Sequence, residues 1–168
     1  AYWILVGMMG SGKTSVGRAL ADLSERSFED TDQMLQKKLG QTITRLFQVY
    51  GEDAFRQHET SLLRSLEPAH GVLATGGGIV SRDENWVELG RLGKTIFMDV
   101  PVEVLCQRLE RSRHRRPLLQ SDDWETKIAE LLERRRPMYE RADLHFHVHD
   151  RTIEDVAEDL VEVIRCNL

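Results

Sequence analysis

Residues 7–14 of the sequence, GMMGSGKT, have the composition and spacing of a loop that binds phosphate groups. They match the pattern G-x-x-x-x-G-K-[ST] in full, directly after an apolar strand-like run and directly before a run compatible with a helix. Glycines let the backbone turn its N–H groups onto phosphate oxygens, and the helix start adds the positive end of a dipole. Lys13 should then reach the β- and γ-phosphates, with the Thr14 hydroxyl as the natural magnesium ligand. The residues predicted to contact the nucleotide are Gly10, Ser11, Gly12, Lys13, Thr14 and Ser15.

A glycine-rich turn without a ligand is the alternative interpretation of this segment, but the full match in the required context disfavours it. Nucleotide binding alone does not separate GTPases, motor ATPases and small-molecule kinases. The distinction depends on the residues that follow the loop.

Two aspartates, Asp30 and Asp32, end the next strand-like run. Ligands of open α/β sheets bind at the carboxyl ends of strands, so these carboxylates are candidates for the reacting centre. Asp30 could hold a magnesium-bound water, while Asp32 could accept the hydrogen bond of a substrate hydroxyl and take its proton. The alternative is that either residue caps the following helix, which is common for aspartate.

The motifs that follow resemble those of the shikimate kinase family in order and spacing. Residues 30–32 (DTD), 51–59 (GEDAFRQHE) and 74–78 (ATGGG) resemble its substrate-site sequence. Residues 116–119 (RPLL) are similar to its lid motif, and residues 135–139 (RRPMY) to the turn that carries its second carboxylate-binding arginine. The resemblance implies magnesium-dependent transfer of the γ-phosphoryl group of ATP to the 3-hydroxyl of shikimate, on the route to the aromatic amino acids.

The resemblance also implies roles for single residues at the acceptor site. It places Asp32 at the hydroxyls of shikimate, and Arg56 and Arg135 on the carboxylate, for which the planar guanidinium fork is suited. Either arginine taken alone could instead be a solvated helix residue. The backbone expected against the substrate ring is that of Gly76, Gly77 and Gly78, whose alternative is a flexible strand exit.

Residues 112–124 are predicted to form a lid, because they cluster arginines between two helices and have no periodicity of their own. The resemblance implies that Arg116 approaches the phosphates on closure and stabilises the transferred charge. The catalytic residues are thus predicted to be Lys13, Asp32 and Arg116. Arg108 is a candidate for the adenine side. Three neighbours are interpreted as solvated, although one of them could stack on adenine: Arg111, Arg113 and Arg115.

Asp99 ends another apolar run and could be the second acid that many P-loop proteins carry. In the family's strand order, 2-3-1-4-5, residues 72–74 form the strand beside the phosphate-loop strand on the substrate side, and glycines rather than an acid follow it. Asp30 is therefore preferred as the residue that holds the metal, through a water molecule. Three histidines alternate along one predicted strand and would share a face: His145, His147 and His149. A metal site there is conceivable, but a polar face on an outer strand is a sufficient explanation.

The elements that must position these residues alternate between apolar runs and amphipathic, helix-length stretches. This pattern predicts the α/β class, with a five-stranded parallel sheet covered by helices on both faces. The resemblance implies that this is the three-layer α/β/α fold of the P-loop kinase type. The predicted strands are 3–6, 27–29, 72–74, 95–100 and 144–149. The predicted helices are 13–25, 31–39, 42–49, 53–66, 83–90, 102–112, 124–140 and 152–165. The acceptor-binding region spans about residues 31–60.

The composition fits one globular domain over residues 1–168, with 40% hydrophobic and 30% charged residues and no linker or repeat. Apolar runs are far shorter than the roughly 20 residues of a membrane span. A net charge of -5 argues against nucleic-acid binding. Two cysteines, Cys106 and Cys166, make no disulfide framework or zinc signature, which favours a reducing, cytoplasmic setting. A monomer is expected, and a plastid location stays open if a transit peptide was removed.

Two alternative functions stay open. A kinase of another small polyol acid such as gluconate would share the phosphate loop, although its acceptor motifs would not be expected to combine Arg56, the triple glycine and Arg135. A non-catalytic kinase-like binding module would be supported by loss of Lys13, Asp32 or an acceptor-site arginine, and none of these is lost.

Overall fold

The structure, a computed structural model, describes residues 1–116 and 119–168. Residues 117 and 118 of the predicted lid motif therefore lie outside the described residues. Five parallel strands form one sheet in the order β2-β3-β1-β4-β5, which confirms the predicted order. The strands are β1 (Tyr2–Val6), β2 (Ser27–Asp30), β3 (Gly71–Ala74), β4 (Gly93–Asp99) and β5 (Leu144–His147).

Helices cover both faces of the sheet and complete the predicted α/β class. They are α1 (Lys13–Leu23), α2 (Thr31–Leu39), α3 (Ile43–Ser65), α4 (Asp83–Leu92), α5 (Val102–Glu110), α6 (Trp124–Tyr139) and α7 (Ile153–Asn167). Single 3-10 turns occupy Ile79–Ser81 and Arg113–Arg115. None of the helices in the described part of the chain combines the length and the apolar composition of a membrane span.

The sheet brings the carboxyl ends of β1, β2 and β3 together. All four residues of β3 are buried, as expected for an inner strand covered on both faces. Asp30 pairs in register with Ala74, and Ala74 pairs with Leu5. Asp32 follows Asp30, the triple glycine follows Ala74, and the phosphate loop follows Leu5, each within two residues. The register alone therefore gathers the three motifs at one edge of the sheet.

The acceptor-binding region has a small hydrophobic core of its own, where α2 packs against α3. Its buried members are Leu35, Leu46, Phe55 and Leu62. The main core lies around the sheet and does not include these residues. The region therefore folds onto itself beside the sheet edge and carries Arg56 on α3 into the site.

Three sequence predictions are corrected by the structure. β5 ends at His147, so His149 lies outside the strand: β4 ends at Asp99, and the chain then passes through Pro101 into α5 and offers no further ladder partner. The helices predicted at 42–49 and 53–66 are hydrogen-bonded into one kinked α3, with Gly51 non-helical at φ 83° and ψ 173°. Residues 135–139, likened to a turn, form the last turn of α6.

Two exposed glycines provide a matched test of the α3 kink. The backbone of Gly51 adopts a conformation that is essentially restricted to glycine, and no atom would crowd an added Cβ. We therefore expect Gly51→Ala to lower the free energy of unfolding by about 1–3 kcal/mol. Gly90 lies inside α4 with equally open surroundings. Gly90→Ala should therefore raise the free energy of unfolding by up to about 1 kcal/mol. Urea unfolding monitored by circular dichroism measures both, and equal effects of one sign would contradict the kink.

Candidate active site

The phosphate loop connects β1 to α1 and leaves the start of α1 open. Gly10 and Gly12 have φ values of +79° and +91°, which only glycine adopts at low energy. Gly12 is the N-cap residue of α1, and no side chain caps the helix. The first N–H groups of α1 are thus available to an anion, as the sequence pattern predicted.

Lys13 lies folded over this loop. Its Nζ atom donates hydrogen bonds to the carbonyl oxygens of Gly7 (2.6 Å) and Met8 (2.8 Å), in a buried position. Burial lowers the pKa of Lys13 to about 8, although the nearby carboxylates of Asp32 and Asp30 oppose the shift. A phosphate group at the loop would supply the negative charge that this buried ammonium group lacks.

Thr14 and Asp30 form an oxygen pair at the start of α1 and the end of β2. The Thr14 hydroxyl donates to Oδ2 of Asp30 at 2.7 Å. Oδ1 of the same carboxylate accepts from the backbone N–H groups of Asp32 (2.9 Å) and Gln33 (3.3 Å) and so caps α2. The capping interpretation of Asp30 is therefore confirmed, and its role toward a magnesium-bound water stays a prediction. Hydroxyl and carboxylate oxygens are the ligands that Mg²⁺ prefers, so the residues present fit that ion.

The triple glycine gives space to three functional side chains. A Cβ on Gly76 would lie 2.7 Å from Oδ1 of Asp32, and one on Gly78 would overlap with the guanidinium group of Arg56. A Cβ on Gly77 would lie 3.4 Å from Nη1 of Arg135. Gly76 and Gly78 are therefore needed because a polar side chain occupies the space of a Cβ, whereas Gly77 is only in ordinary contact distance of Arg135. The structure thus brings all six residues of the predicted acceptor site together.

Arg56 is held by a buried carboxylate that the sequence analysis missed. Its Nη1 atom lies 2.6 Å from Oε1 of Glu59, whose side chain is completely buried, while the pair with exposed Glu52 is longer at 3.6 Å. Two aromatic rings, Phe47 and Phe55, pack against the guanidinium group. This arrangement fixes the direction of the arginine fork before any ligand arrives.

Two buried polar atoms at the acceptor site lack hydrogen-bond partners among the described residues. They are Nη1 of Arg135 and Oε2 of Glu59. A Cβ on Gly76 would lie within 3.0 Å of that Glu59 oxygen, so the oxygen faces the glycine turn beside Asp32. Buried polar atoms are nearly always paired, so two unpaired ones beside the glycine turn indicate the place of a polar ligand.

Burial disfavours the ionised form of the carboxyl groups of both Asp32 and Glu59. Burial raises the pKa of Glu59 to about 7, outweighing the charge and hydrogen bond of Arg56. Burial also raises the pKa of Asp32, with a further contribution from Asp30, while Lys13, Arg56 and Arg116 lower it. The site therefore contains two acids whose pKa is raised above the ordinary value, and that of Glu59 lies near neutral pH.

The glycine turn is fixed from two sides by hydroxyl groups. Tyr139 donates a 2.6 Å hydrogen bond to the carbonyl oxygen of Gly77, and its buried ring stacks on Phe97 at 5.0 Å between centroids. The Thr31 hydroxyl accepts from the N–H of Gly76 at 3.1 Å. The turn is thus rigid where Arg135 and Asp32 approach it.

A buried amide links α3 to the chain that follows the glycines. Oδ1 of Asn85 accepts from the Thr60 hydroxyl at 2.7 Å, and Nδ2 of Asn85 donates to the carbonyl oxygen of Ile79 at 2.7 Å. Thr60 directly follows Glu59 on α3. The amide therefore keeps the α3 segment that carries Arg56 in register with the turn against which Arg56 packs.

The described part of the predicted lid is folded over its own backbone. Nε of Arg113 donates to the carbonyl oxygen of Leu119 at 2.8 Å, and its guanidinium group lies over the ring of buried Trp124. The prediction of a solvated Arg113 was therefore wrong, because the arginine closes this segment. Arg116 donates to the Ser112 hydroxyl at 3.3 Å, and it lies near enough for its charge to lower the pKa of both Lys13 and Asp32.

A cleft of about 570 Å³ extends from the phosphate loop to the start of α7. Arg108 lines it and also donates to the carbonyl oxygens of Gly10 (3.3 Å) and Ser11 (3.2 Å). This volume is that of a typical small-molecule pocket. The other lining residues include Ser15, Val104, Gln107, Arg111, Asp150 and Thr152.

Sequence patterns contained weak signals for two of the missed residues. Glu59 follows Arg56 by three positions and Tyr139 follows Arg135 by four, which are the spacings of neighbours on one helix face. Those spacings do not reveal that Glu59 and Tyr139 are buried. Asn85 had no signal, because its partners come from distant segments of the chain.

Comparisons with known proteins agree on one family. The family model described as shikimate kinase matches residues 9–165. A shikimate kinase of Nostoc punctiforme is 44% identical over 162 residues, which are 95% of this chain and 88% of that protein. One of Synechococcus sp. (strain CC9605) is 42% identical over 161 residues, 95% of this chain and 80% of that protein. The solved structure of the shikimate kinase from Acinetobacter baumannii in complex with shikimate has a TM-score of 0.93 and 38% identity, covering 99% of this chain and 93% of that one.

The raised pKa of Glu59 predicts how stability depends on pH. Below pH 4.5 the carboxyl group is protonated in the folded and unfolded states alike. Between pH 4.5 and about 7 it ionises in the unfolded chain first, so this group lowers the free energy of unfolding as pH rises. The full effect is at most about 3 kcal/mol.

Comparison with Glu59→Gln isolates this contribution from that of Asp32. Urea unfolding at a series of pH values should show a decline between pH 4.5 and 7 in the parent protein that is smaller in the variant. Parallel curves for the two proteins would show that Glu59 keeps its ordinary pKa.

Proposed function

The chain belongs to the shikimate kinase family, and we propose that it transfers the γ-phosphoryl group of ATP to the 3-hydroxyl of shikimate. The observation that carries this proposal is the convergence of Arg56 and Arg135 on a glycine turn that also contacts Asp32. The residue roles that follow rest on this geometry. The alternative of a binding module lacks support, because Lys13 and Asp32 are both retained and lie close enough for their charges to interact.

The two arginines match the carboxylate of shikimate. They reach the turn from different helices, Arg56 from α3 and Arg135 from α6, and pack against adjacent glycines. Nη1 of Arg135 is buried without a partner among the described residues, so a carboxylate there would satisfy it. Paired guanidinium groups hold an anion through charge-assisted hydrogen bonds and fix its orientation. A substrate held in this way presents its ring along the glycine backbone.

Asp32 is the base for the hydroxyl that is phosphorylated. It lies against Gly76, one residue from the glycine that contacts Arg135, and its charge interacts with that of Lys13. A carboxylate whose pKa burial has raised is a better proton acceptor than an exposed one. We assign to Asp32 the hydrogen bond to the substrate hydroxyl and the removal of its proton during attack on the γ-phosphorus.

Three cationic groups act on the phosphates. Lys13 would exchange the carbonyl oxygens of Gly7 and Met8 for phosphate oxygens, and the open N–H groups of α1 would bind the same anion. Arg116 would stabilise the charge that spreads over the transferred group. Thr14 would hold Mg²⁺ directly and Asp30 through water, and the ion neutralises phosphate charge. The cleft bounded by Arg108 would receive the adenine side of ATP.

We further propose that residues 1–168 act as a single kinase domain, as a monomer in the cytoplasm. The residues assigned to the reaction lie either on one continuous sheet or on elements connected to that sheet. Cys106 and Cys166 are both free thiols, which is consistent with a reducing compartment. Sedimentation analysis tests the oligomeric state.

A coupled assay tests the reaction itself. ATP consumption should require shikimate and a divalent cation and should not occur with gluconate. Lys13→Ala is the control, because it removes the phosphate-neutralising charge and should nearly abolish turnover while circular dichroism shows an intact fold. Equal turnover with gluconate would favour the polyol-acid alternative.

Asp32→Asn tests the base. The amide keeps the shape of the side chain but loses its charge and basicity, so we expect kcat to fall by about 10²–10⁴ with a much smaller change in KM. Steady-state kinetics with varied shikimate measures both constants. A higher KM with unchanged kcat would mean that Asp32 positions the acceptor and another group takes the proton.

Arg56→Lys tests the recognition of the carboxylate. An ammonium group keeps the charge but cannot form two parallel hydrogen bonds, so shikimate binding should weaken about tenfold or more. ATP binding should change little. The same substitution should matter much less for an acceptor whose carboxylate is replaced by a neutral amide, because the contact is already lost.

Calorimetric titration of both acceptors into both proteins completes this double-mutant comparison. Losses that simply add, equal for the acid and the amide, would show that Arg56 does not contact the carboxylate. Arg64→Lys is a matched control, since this exposed α3 arginine pairs with Glu84 away from the glycine turn.

A further inference from the structure

Three potential metal ligands meet at the carboxyl ends of β4 and β5, outside the sites assigned above. Nε2 of His145 lies 2.8 Å and Nδ1 of His147 lies 3.7 Å from the same oxygen, Oδ2 of Asp99. All three ligand atoms are within 4.8 Å of one another. We propose that Asp99, His145 and His147 bind one divalent transition-metal ion of the zinc class.

The spacing of the ligand atoms suits such an ion. Two ligand atoms on a tetrahedral ion with bonds of about 2.1 Å are about 3.4 Å apart. The distances of 2.8 and 3.7 Å to Asp99 lie on either side of this value. His145 and His147 share one face of β5, and Asp99 pairs with His147 in the sheet register. Side-chain rotation is therefore sufficient, and the strands already hold the backbone in place.

The two histidine rings of the cluster pack against each other. The rings of His145 and His147 stack with their centroids 4.4 Å apart. Asp99 already has a cationic partner, because Nη1 of Arg136 lies 3.2 Å from Oδ2. The histidines are therefore not needed to balance the charge of Asp99, and imidazole is a common metal ligand.

The site would distinguish its ion from the magnesium of the phosphate loop. Two nitrogen ligands favour zinc, nickel or cobalt over magnesium, which prefers oxygen. The side chain of His147 is 70% exposed, so an ion can enter from solvent and keep a water ligand. The ring of His145 packs on Phe97, with centroids 4.8 Å apart, which limits the orientations of the more buried ligand.

The effect of removing Arg136 distinguishes a metal site from a purely structural hydrogen-bond network. It competes with a metal ion for the charge of Asp99, and Glu133 offers it a second partner at 3.9 Å. In a structural network, Arg136 would hold the cluster together. At a metal site it is a competing cation, so its removal should strengthen metal binding.

Calorimetric titration with Zn²⁺, in the presence of excess Mg²⁺ and without nucleotide, tests the site. The parent protein should bind one ion per chain through this cluster. His145→Ala and His147→Ala should each weaken binding at least about tenfold. His149→Ala is the matched control, because His149 is exposed and outside the cluster, and should bind as the parent does. Arg136→Met should bind more tightly than the parent.

Two further readouts keep the test independent of the reaction. Co²⁺ should give visible absorption bands typical of nitrogen-ligated tetrahedral cobalt in the parent and not in His147→Ala. Zn²⁺ should raise the melting temperature of the parent but not of that variant, because binding stabilises only the folded state. Zinc affinity unaffected by His147→Ala would overturn the proposal. Equal losses in Arg136→Met and the histidine variants would also overturn it, since the cluster would then be a hydrogen-bonded network.

Discussion

The buried ion pair between Arg56 and Glu59 is the interaction on which the acceptor site depends. Glu59 is completely buried, yet it contributes only one of its oxygens to the pair, at 2.6 Å from Nη1 of Arg56. Removing Glu59 would leave the largely buried guanidinium group of Arg56 without this partner, a loss that typically costs about 3–5 kcal/mol. The pair therefore keeps the guanidinium fork pressed against Gly78, and a larger residue at that position would displace it.

Several features of the fold support this position of Arg56. The kink at Gly51 separates the two halves of α3, so the second half can carry Arg56 and Glu59 at its own angle. Asn85 links that half to the glycine turn through buried hydrogen bonds. Tyr139 fixes the same turn from α6, the helix that supplies Arg135. Two arginines from distant segments can converge on one anion only because the turn between them is held rigidly.

Much of this architecture could be predicted from local patterns. The phosphate loop, the five strands and their order follow from glycine spacing, apolar runs and the family resemblance, and all are confirmed. Asp30 was predicted either to cap α2 or to serve the metal, and the structure shows one carboxylate oxygen capping α2 and the other bonded to Thr14. These features depend on residues that are near each other along the chain or on strand register.

The features that were missed depend on packing between distant segments. Glu59 was overlooked because a glutamate on an amphipathic helix is usually solvated, and its burial follows from how α3 lies on the glycine turn. The space that Gly76 and Gly78 leave for the side chains of Asp32 and Arg56 was also missed. The contact of the glycine backbone with a substrate ring stays a prediction. Arg113 looked solvated because nothing local indicates its partners Leu119 and Trp124.

In the proposed function, Arg56 receives the carboxylate of the ligand while buried Glu59 holds the arginine in place. Shikimate bound to Arg56 would share the charge that stabilises ionised Glu59, so the pKa of Glu59, about 7 in the free protein, should rise. Calorimetric titration of shikimate near pH 7 in two buffers with different ionisation enthalpies measures the resulting proton uptake. We expect a fractional uptake that Glu59→Gln abolishes. Binding without proton uptake, or an equal uptake in that variant, would contradict it.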